Sequence, residues 1–461
     1  MGAPIGDVPP AGRSTRRTWL WLGLWLAVGM GARLAVVVLP HVAGSLTVSG
    51  WAVSRWASQP LFPDSLEYTR MASHLVHGEG LSLDRASRIG RMPGYPVLLA
   101  GVQAVFGDSL LAARVADALL GTALIALVFL LAREVYGPRE GVAAAAIVAV
   151  YPFLVVQALL VLSETLFAVL LVAGSWFLAK AYRGTKVKWA ALAGLAFGLA
   201  TLTRGSFLAA TLLAAVGWVV ASRIERRAVL CAAAMVGALA LAMAPWVARN
   251  WRASDGHLVL TTLRVGPSLY EGLNPNADGG PMMDRINWDE GTVGLSEYER
   301  DQHWRRKAFE FVRENPRRAL ALAATKLGRF WNVVPNLEQF RGALPCAIVG
   351  IPYGLVMLLA LVGLVRPGRR VEVALILLLP VVYYCLVHMV FVGSVRYREA
   401  LMPLLIAVAG GGVITLWDWM RRGRARADGD RAGVQRGGDG GTPAGAGAGG
   451  SPDGEAGDSG G

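Results

Sequence analysis

Cysteine, charge and the signatures of soluble enzymes are all scarce in this chain of 461 residues. Its three cysteines, Cys231, Cys346 and Cys385, are widely spaced and lie in or beside apolar runs. An odd, scattered set argues against a disulfide framework and against a cysteine metal site. Charged residues make up 17% and hydrophobic ones 54%, where a soluble domain carries about 25% charge. That balance excludes an ordinary soluble domain and reads as an integral membrane protein. No phosphate loop, metalloprotease helix, nucleophile elbow or dinucleotide fingerprint occurs, so those classes drop out. The net charge is +13, yet no basic face interleaved with aromatics stands in a polar stretch. Nucleic acid is therefore not an expected partner. The charge sits at the ends of apolar runs, where it orients the chain and meets anionic lipid.

What is present is a series of apolar runs, and about twenty apolar residues cross a bilayer. Spans are expected near 18–39, 109–132, 140–157, 159–181, 189–203, 205–222, 228–247, 345–365, 371–392 and 398–417. The expected fold class is thus an all-α polytopic membrane protein of about 10–11 transmembrane helices. Residues 1–17 precede the first span, and polar loops cover about 40–108 and 248–344. The basic, then glycine-rich tail 418–461 lacks the apolar surface to fold, so it is expected to be disordered. The first span follows Arg16 and Arg17 and has no small-x-small cleavage site before Pro40. It reads as a retained signal anchor.

Basic clusters orient the spans. They are Arg13, Arg16 and Arg17; Arg183, Lys186 and Lys188; Arg223, Arg226 and Arg227; Arg366, Arg369 and Arg370; and Arg421, Arg422, Arg424 and Arg426. Placing all of them in the cytoplasm yields one topology with both termini inside. Parity then forbids the thirteen apolar residues 94–106 from crossing, and an interfacial or re-entrant helix is expected there. Both large loops face outward, as do turns at Tyr151–Pro152, Thr203–Gly205 and Gly393–Glu399.

The charges that remain share that outer side. Asp64 and Glu67 in LFPDSLEYTR form a capping-box-like helix start, which also suits a carboxylate fixed at the membrane surface as a general base. Helix 65–77 is expected to lie along the interface, with His74 and His77 as surface contacts. Arg88 and Arg91, before Pro93, read either as headgroup anchors or as phosphate contacts, for which arginine offers a bidentate fork. Glu164, in an apolar stretch, needs a cationic partner. Arg204 interrupts two apolar runs and suits a phosphate or lipid-head contact as well as snorkelling. Arg249 and Asn250 open the second loop beside Trp246 and Trp251, where an aromatic belt is an equal reading. Arg396, Tyr397 and Arg398 put two arginines on the side that usually lacks them, which points to an anionic partner. The stretch 297–331 is amphipathic and breaks at Pro316.

In order, the chain carries an Asp-centred outer loop, Arg-x-Pro-x-Tyr-Pro, Ser-Glu-Thr-Leu-Phe, Leu-Thr-Arg-Gly-Ser, Pro-Trp-x-x-Arg-Asn and Arg-Tyr-Arg. This series, across roughly residues 15–417, resembles the family 39 glycosyltransferases of the GT-C fold. That group includes the protein O-mannosyltransferases and the bacterial aminoarabinose transferase acting on lipid A. The resemblance implies a GT-C-type bundle with interfacial helices in its outer loops, in a bacterial cytoplasmic membrane. It implies a polyprenyl-phosphate-linked sugar donor and an extracytoplasmic acceptor: protein, glycolipid or polysaccharide. It makes Asp64 the base that activates the acceptor, with Arg204, Arg396 and Arg398 on the donor phosphate, joined by Arg88, Arg91 or Arg249. Glu67, Glu164, Tyr397 and Asn250 support them. Where the family often has a second acidic residue directly after the first, this chain has Ser65. A divalent metal stays open as a cofactor, with no ligand cluster that compels one. The competing class is a transporter or flippase of a lipid-linked anion, which calls for repeats or helices broken at the midplane.

Overall fold

The computed structural model describes residues 15–42, 47–48, 51–52, 59, 62–84, 86–336, 341–365 and 373–437. The expectations placed on Arg13, Arg366, Arg369, Arg370 and the tail beyond Gly437 lie outside them. The described residues are helical apart from connecting turns and one two-residue antiparallel pair, Thr47–Val48 with Trp51–Ala52. The chain is a multi-pass membrane protein. Among the described residues, six helices are long and apolar enough to cross a bilayer, or seven if a bent pair is one span.

Helix α1 covers Arg16–Val42. The first outer loop then supplies α2, Pro63–Val76, and α3, Gly94–Phe106. Next come α4, Leu110–Val135; α5, Pro138–Val150; α6, Pro152–Leu160; and α7, Glu164–Gly184. Helices α8, Val187–Thr203, and α9, Leu208–Ala221, are shorter. They precede the long α10, Arg226–Ala253. The second outer loop holds α11, Val265–Gly272; α12, Glu297–Glu314; and α13, Pro316–Phe330. The chain finishes with α14, Ala343–Leu364; α15, Leu379–Val390; α16, Val395–Glu399; and α17, Met402–Gly437. Two units divide at Thr415. In the second, the helix runs on to Gly437 with Arg421 over the Trp417 ring. Residues 418–437, expected to be disordered, are therefore helical.

One expectation about the turns needs correcting. Tyr151–Pro152 does not reverse the chain. It bends α5 into α6 by 50°, and the reversal comes at Val161–Ser163, before α7. The cause is local. Pro152 has no amide hydrogen, so the carbonyl of Val148 loses its intrahelical donor. Arg33, fully buried in α1, replaces it: Nη2 donates to the Val148 carbonyl at 3.3 Å, and Nη1 to Ala149 at 3.4 Å and Gly29 at 2.9 Å. An orphaned carbonyl in hydrocarbon is costly, so the buried arginine makes the bend tenable. Arg114 performs the same service at the end of α6, where its Nε donates to the Leu159 carbonyl at 3.1 Å.

Helix α6 ends on Val161, which has φ 52°. A β-branched residue in the left-handed region is strained. The buried Ser65 hydroxyl, reaching the Leu160 carbonyl at 2.8 Å, helps hold that corner. The corner delivers Glu164 to the first turn of α7. Close approach elsewhere depends on Gly94: a Cβ there would lie 2.9 Å from the Leu202 carbonyl oxygen. Its absence lets α3 begin against the end of α8. The two outer loops are tied by Glu297, whose carboxylate accepts from the amides of Arg88 at 2.8 Å and Ile89 at 3.0 Å. A capping box between Ser296 and Glu299 starts the helix that carries it.

Candidate functional site

Seven charged side chains from six places in the chain meet where the outer loops cover the helix ends. They form one row of alternating sign. Arg264, just before α11, donates to Glu67 at 3.1 Å. Glu67 also accepts from Arg91 Nε at 2.5 Å. Arg91 Nη2 reaches Asp64 at 2.6 Å, and the other Asp64 oxygen accepts from Arg396 Nη1 at 2.8 Å. Arg396 Nε donates to Glu164, and the same Glu164 oxygen takes Arg204 Nη2 at 2.8 Å. Three carboxylates thus stand among four guanidiniums, and the row begins and ends on a cation.

Local structure explains each position. Asp64 follows Pro63 at the start of α2, and Glu67 lies one turn later on the same face. The capping reading of this pair does not hold. The N-cap residue is Phe62, no side chain caps the helix, and both carboxylates are spent on arginines. Glu164 sits at the N-terminus of α7, where the helix dipole favours a negative charge. Its side chain is 2% exposed and that of Asp64 is 27%. Arg204 ends α8, with its guanidinium 5.5 Å from the centre of the Tyr397 ring. Tyr397 in turn stacks on His388 with centroids 4.3 Å apart. Arg91 lies over the Tyr68 ring at 5.5 Å. Burial alone would raise the Asp64 carboxyl. The guanidiniums of Arg91 and Arg396 overturn that and hold it well below the usual carboxylate range. Burial likewise disfavours the Arg396 cation, and Glu164 and Asp64 more than restore it. Two groups in the row are left partly unmatched: Glu164 Oε2 and Arg204 Nε are buried with no hydrogen-bond partner.

The structure thus unites Asp64, Glu67, Arg91, Glu164, Arg204 and Arg396, with Tyr397 beneath Arg204. It separates three other arginines from them. Arg398 was expected on the donor phosphate, but it is fully buried on the opposite side of its helix. There it donates to the Asn332 carbonyl and to Glu399, both at 2.7 Å, and lies 3.7 Å from the centre of the Tyr353 ring. The reason is geometric, since residues two apart on a helix face different ways. Arg249 donates to the Leu81 carbonyl at 2.6 Å and covers Trp246. Asn250 holds the carbonyls of Val259 and Thr261. Arg88 contributes its amide to Glu297. These three knit the outer loops together, and these hydrogen bonds bypass the row. His74 and His77 bond to nearby loop and helix carbonyls, of Ser82 and Ser73.

Sequence reasoning missed Arg264, a lone basic residue in a polar loop with nothing to mark it. It also passed over Arg33, Arg114 and Asp117, whose signal was available: each is an ionisable residue inside an expected span. Asp117 accepts from the buried Tyr95 hydroxyl at 2.7 Å. The same geometry explains Ser65. A carboxylate at that position would face the Leu160 carbonyl oxygen that the hydroxyl now satisfies. A metal fits poorly here. The row's carboxylates are all paired with arginine, and among the described residues no group of three His, Cys, Asp or Glu side chains could hold an ion.

Residues 90–248 match the family model described as dolichyl-phosphate-mannose-protein mannosyltransferase. That segment contains Arg91, Glu164 and Arg204. No curated protein matches the chain. Among solved structures, the apo oligosaccharyltransferase of Archaeoglobus fulgidus is similar, with a TM-score of 0.54 and 16% identity over 90% of this chain and 53% of that one. The oligosaccharyltransferase AglB of that organism, in complex with an inhibitory peptide and a dolichol-phosphate, gives 0.53 and 15% over 90% and 52%. ArnT from Cupriavidus metallidurans bound to undecaprenyl phosphate gives 0.41 and 15% over 87% and 78%. The chain spans about half the length of the oligosaccharyltransferase it matches. At these identities the likeness to the two oligosaccharyltransferase structures is one of fold, and the expected GT-C-type membrane bundle is borne out. The resemblance read from the sequence is borne out as well: the family matched is one of glycosyltransferases.

Proposed function

We propose that this chain is an integral-membrane, inverting glycosyltransferase. It moves a sugar from a polyprenyl-phosphate donor to an acceptor on the outer side of a bacterial cytoplasmic membrane, with both termini in the cytoplasm. The observation that carries this reading is the row of alternating charge with one cation in excess. A lipid phosphate leaving group is an anion whose charge grows in the transition state, and preorganised guanidiniums in a water-poor site stabilise such charge strongly. The dolichol-phosphate held by the similarly folded oligosaccharyltransferase supports a donor of that chemistry.

The steps follow from the residues. Arg396 and Arg204 turn from Glu164 and Asp64 toward the donor phosphate, and Arg91 keeps Asp64 oriented. Drawing Arg396 away raises the proton affinity of Asp64 when the acceptor is in place. Asp64 then takes the proton of an acceptor hydroxyl or amine as its oxygen or nitrogen attacks the anomeric carbon. The bond from that carbon to the phosphate oxygen breaks, and the electron pair leaves with the phosphate. General-base help of this kind is worth about 10²–10⁴ in rate. No step runs through a metal. The acceptor is a protein, a glycolipid or a polysaccharide.

The test is Asp64→Asn in reconstituted membranes given a labelled polyprenyl-phosphate sugar. Transfer should fall by about 10²–10⁴ while donor binding persists. Undiminished transfer refutes the assignment. A flippase of the same lipid would still move it across the bilayer in the variant, which separates the two classes.

A further inference from the structure

The far end of α7 carries a second charged site with no part in the chemistry above. That helix has 21 residues, which at 1.5 Å each is about 30 Å, the thickness of the hydrocarbon layer. Glu164 opens it at the row of arginines, so its last turn lies at the opposite membrane surface. A cleft of about 330 Å³ stands there, lined by Glu134, Lys180, Arg183, Lys186, Lys188 and Trp189. Four cationic side chains face a single carboxylate. Arg183 is committed to the protein, donating to Glu134 and to the Val135 carbonyl at the end of α4, each at 3.3 Å. Among the described residues, the three lysines have no salt bridge. Lys180 Nζ is instead held between aromatic rings, 5.2 Å from the centre of Trp176 and 4.7 Å from Trp189, and Lys188 Nζ lies 5.2 Å from Trp189.

We propose that this cleft binds the phosphate headgroup of an anionic phospholipid in the leaflet opposite the row of arginines. The orientation bias of membrane proteins accounts for basic residues on one side, but not for three lysines gathered around a cavity, two of them held over tryptophan rings. The apolar surroundings favour a lipid over a free anion. Leu192, Leu195 and Leu199 follow Lys188 along α8 at intervals of four, three and four residues, and each is partly exposed, at 37%, 41% and 41%. That spacing makes one outward stripe on a helix, along which acyl chains can lie while the headgroup sits among the lysines. Trp176, Phe177 and Trp189 are stacked at the border, where amphipathic rings sit at headgroup level. Basic pockets between helices recognise anionic headgroups in this way.

The experiment is a thermal-shift titration of delipidated protein in neutral detergent with phosphatidylglycerol, phosphatidylcholine or inorganic phosphate. Phosphatidylglycerol should stabilise the wild type, and the other two should not. In Lys180→Gln/Lys186→Gln/Lys188→Gln its apparent affinity should fall on the order of a hundredfold, at about tenfold or less per lysine. Lys186 and Lys188 are exposed, so Lys186→Gln/Lys188→Gln serves if the triple variant does not fold. Arg226→Gln/Arg227→Gln, which removes two charges from the same membrane surface, should keep the full shift. The proposal is overturned if phosphatidylglycerol leaves the wild type unshifted, if the lysine variants respond like the wild type, or if the arginine variant loses as much. An equal shift with inorganic phosphate would make the cleft a free-anion site and overturn the lipid assignment.

Discussion

Arg396 and Arg398 stand two residues apart and looked equivalent in sequence, so substituting each by glutamine is the sharpest test of the geometry. Arg396 touches both Asp64 and Glu164. In the proposed reaction it is also a donor to the departing phosphate. Removing one preorganised donor of this type costs about 10²–10³ in kcat, or roughly 3–4 kcal/mol. Stability should suffer less, because Asp64 keeps Arg91 and Glu164 keeps Arg204. Arg398 presents the reverse case. It is fully buried against the equally buried Glu399, and deleting one partner of such a pair costs about 3–5 kcal/mol of stability. Its guanidinium has no path to the row. Arg398→Gln should therefore lower the melting temperature and the yield of folded protein, and leave kcat per folded molecule within a few-fold of wild type. The assay is sugar transfer in proteoliposomes, normalised to folded protein by size-exclusion chromatography, with unfolding followed in parallel. If kcat falls as far in folded Arg398→Gln as in Arg396→Gln, the separation of roles is wrong.

Three further outcomes are expected. Ser65→Asp sets a carboxylate against the Leu160 carbonyl and should cost more stability than Ser65→Ala, which forfeits about 1 kcal/mol. Denaturation in detergent that ranks them the other way removes the explanation offered for this serine. Because the folded Asp64 carboxyl lies below its ordinary value of about 4, it stays ionised as pH falls, and its contribution is lost only in stronger acid. The kcat/KM profile should accordingly lack a limb from Asp64 near neutrality, whereas the kcat limb should shift upward once phosphate draws Arg396 away; a kcat/KM midpoint at about pH 6–7 counts against Asp64. Arg33→Met leaves the carbonyls of Val148 and Ala149 without their donor, at about 1–3 kcal/mol for an unsatisfied buried group, and a melting temperature equal to wild type speaks against the account of the bend.

Much of this architecture was readable because hydrocarbon is an exacting solvent. Charge displaced from a water-facing position is conspicuous in a greasy chain, which is how Asp64, Glu67, Arg91, Glu164, Arg204 and Arg396 came to be named, but together with Arg88, Arg249 and Arg398, which the fold sets apart from the row. Their pairing was not readable, since it depends on where α2, α7, α8 and α16 end relative to one another. The Arg396–Arg398 distinction turns on the rotation of a single five-residue helix, which composition does not encode. Tyr151–Pro152 looked like a reversal because proline breaks a helix whether the chain bends or turns. What decides between them is Arg33, more than a hundred residues earlier. Arg264 was invisible because a polar loop makes any basic residue look ordinary.

The row of seven has a consequence for which anions reach it. Every guanidinium in it touches a carboxylate of the chain, although four cations share three anions, so an anion arriving from the medium must compete with internal partners for all but one unit of charge. The proposed donor brings its own anchorage, a long lipid tail dissolved in the surrounding bilayer, which favours it in that competition. In the proposed reaction the donor phosphate would therefore enter by exchange with an internal carboxylate rather than by filling an empty site.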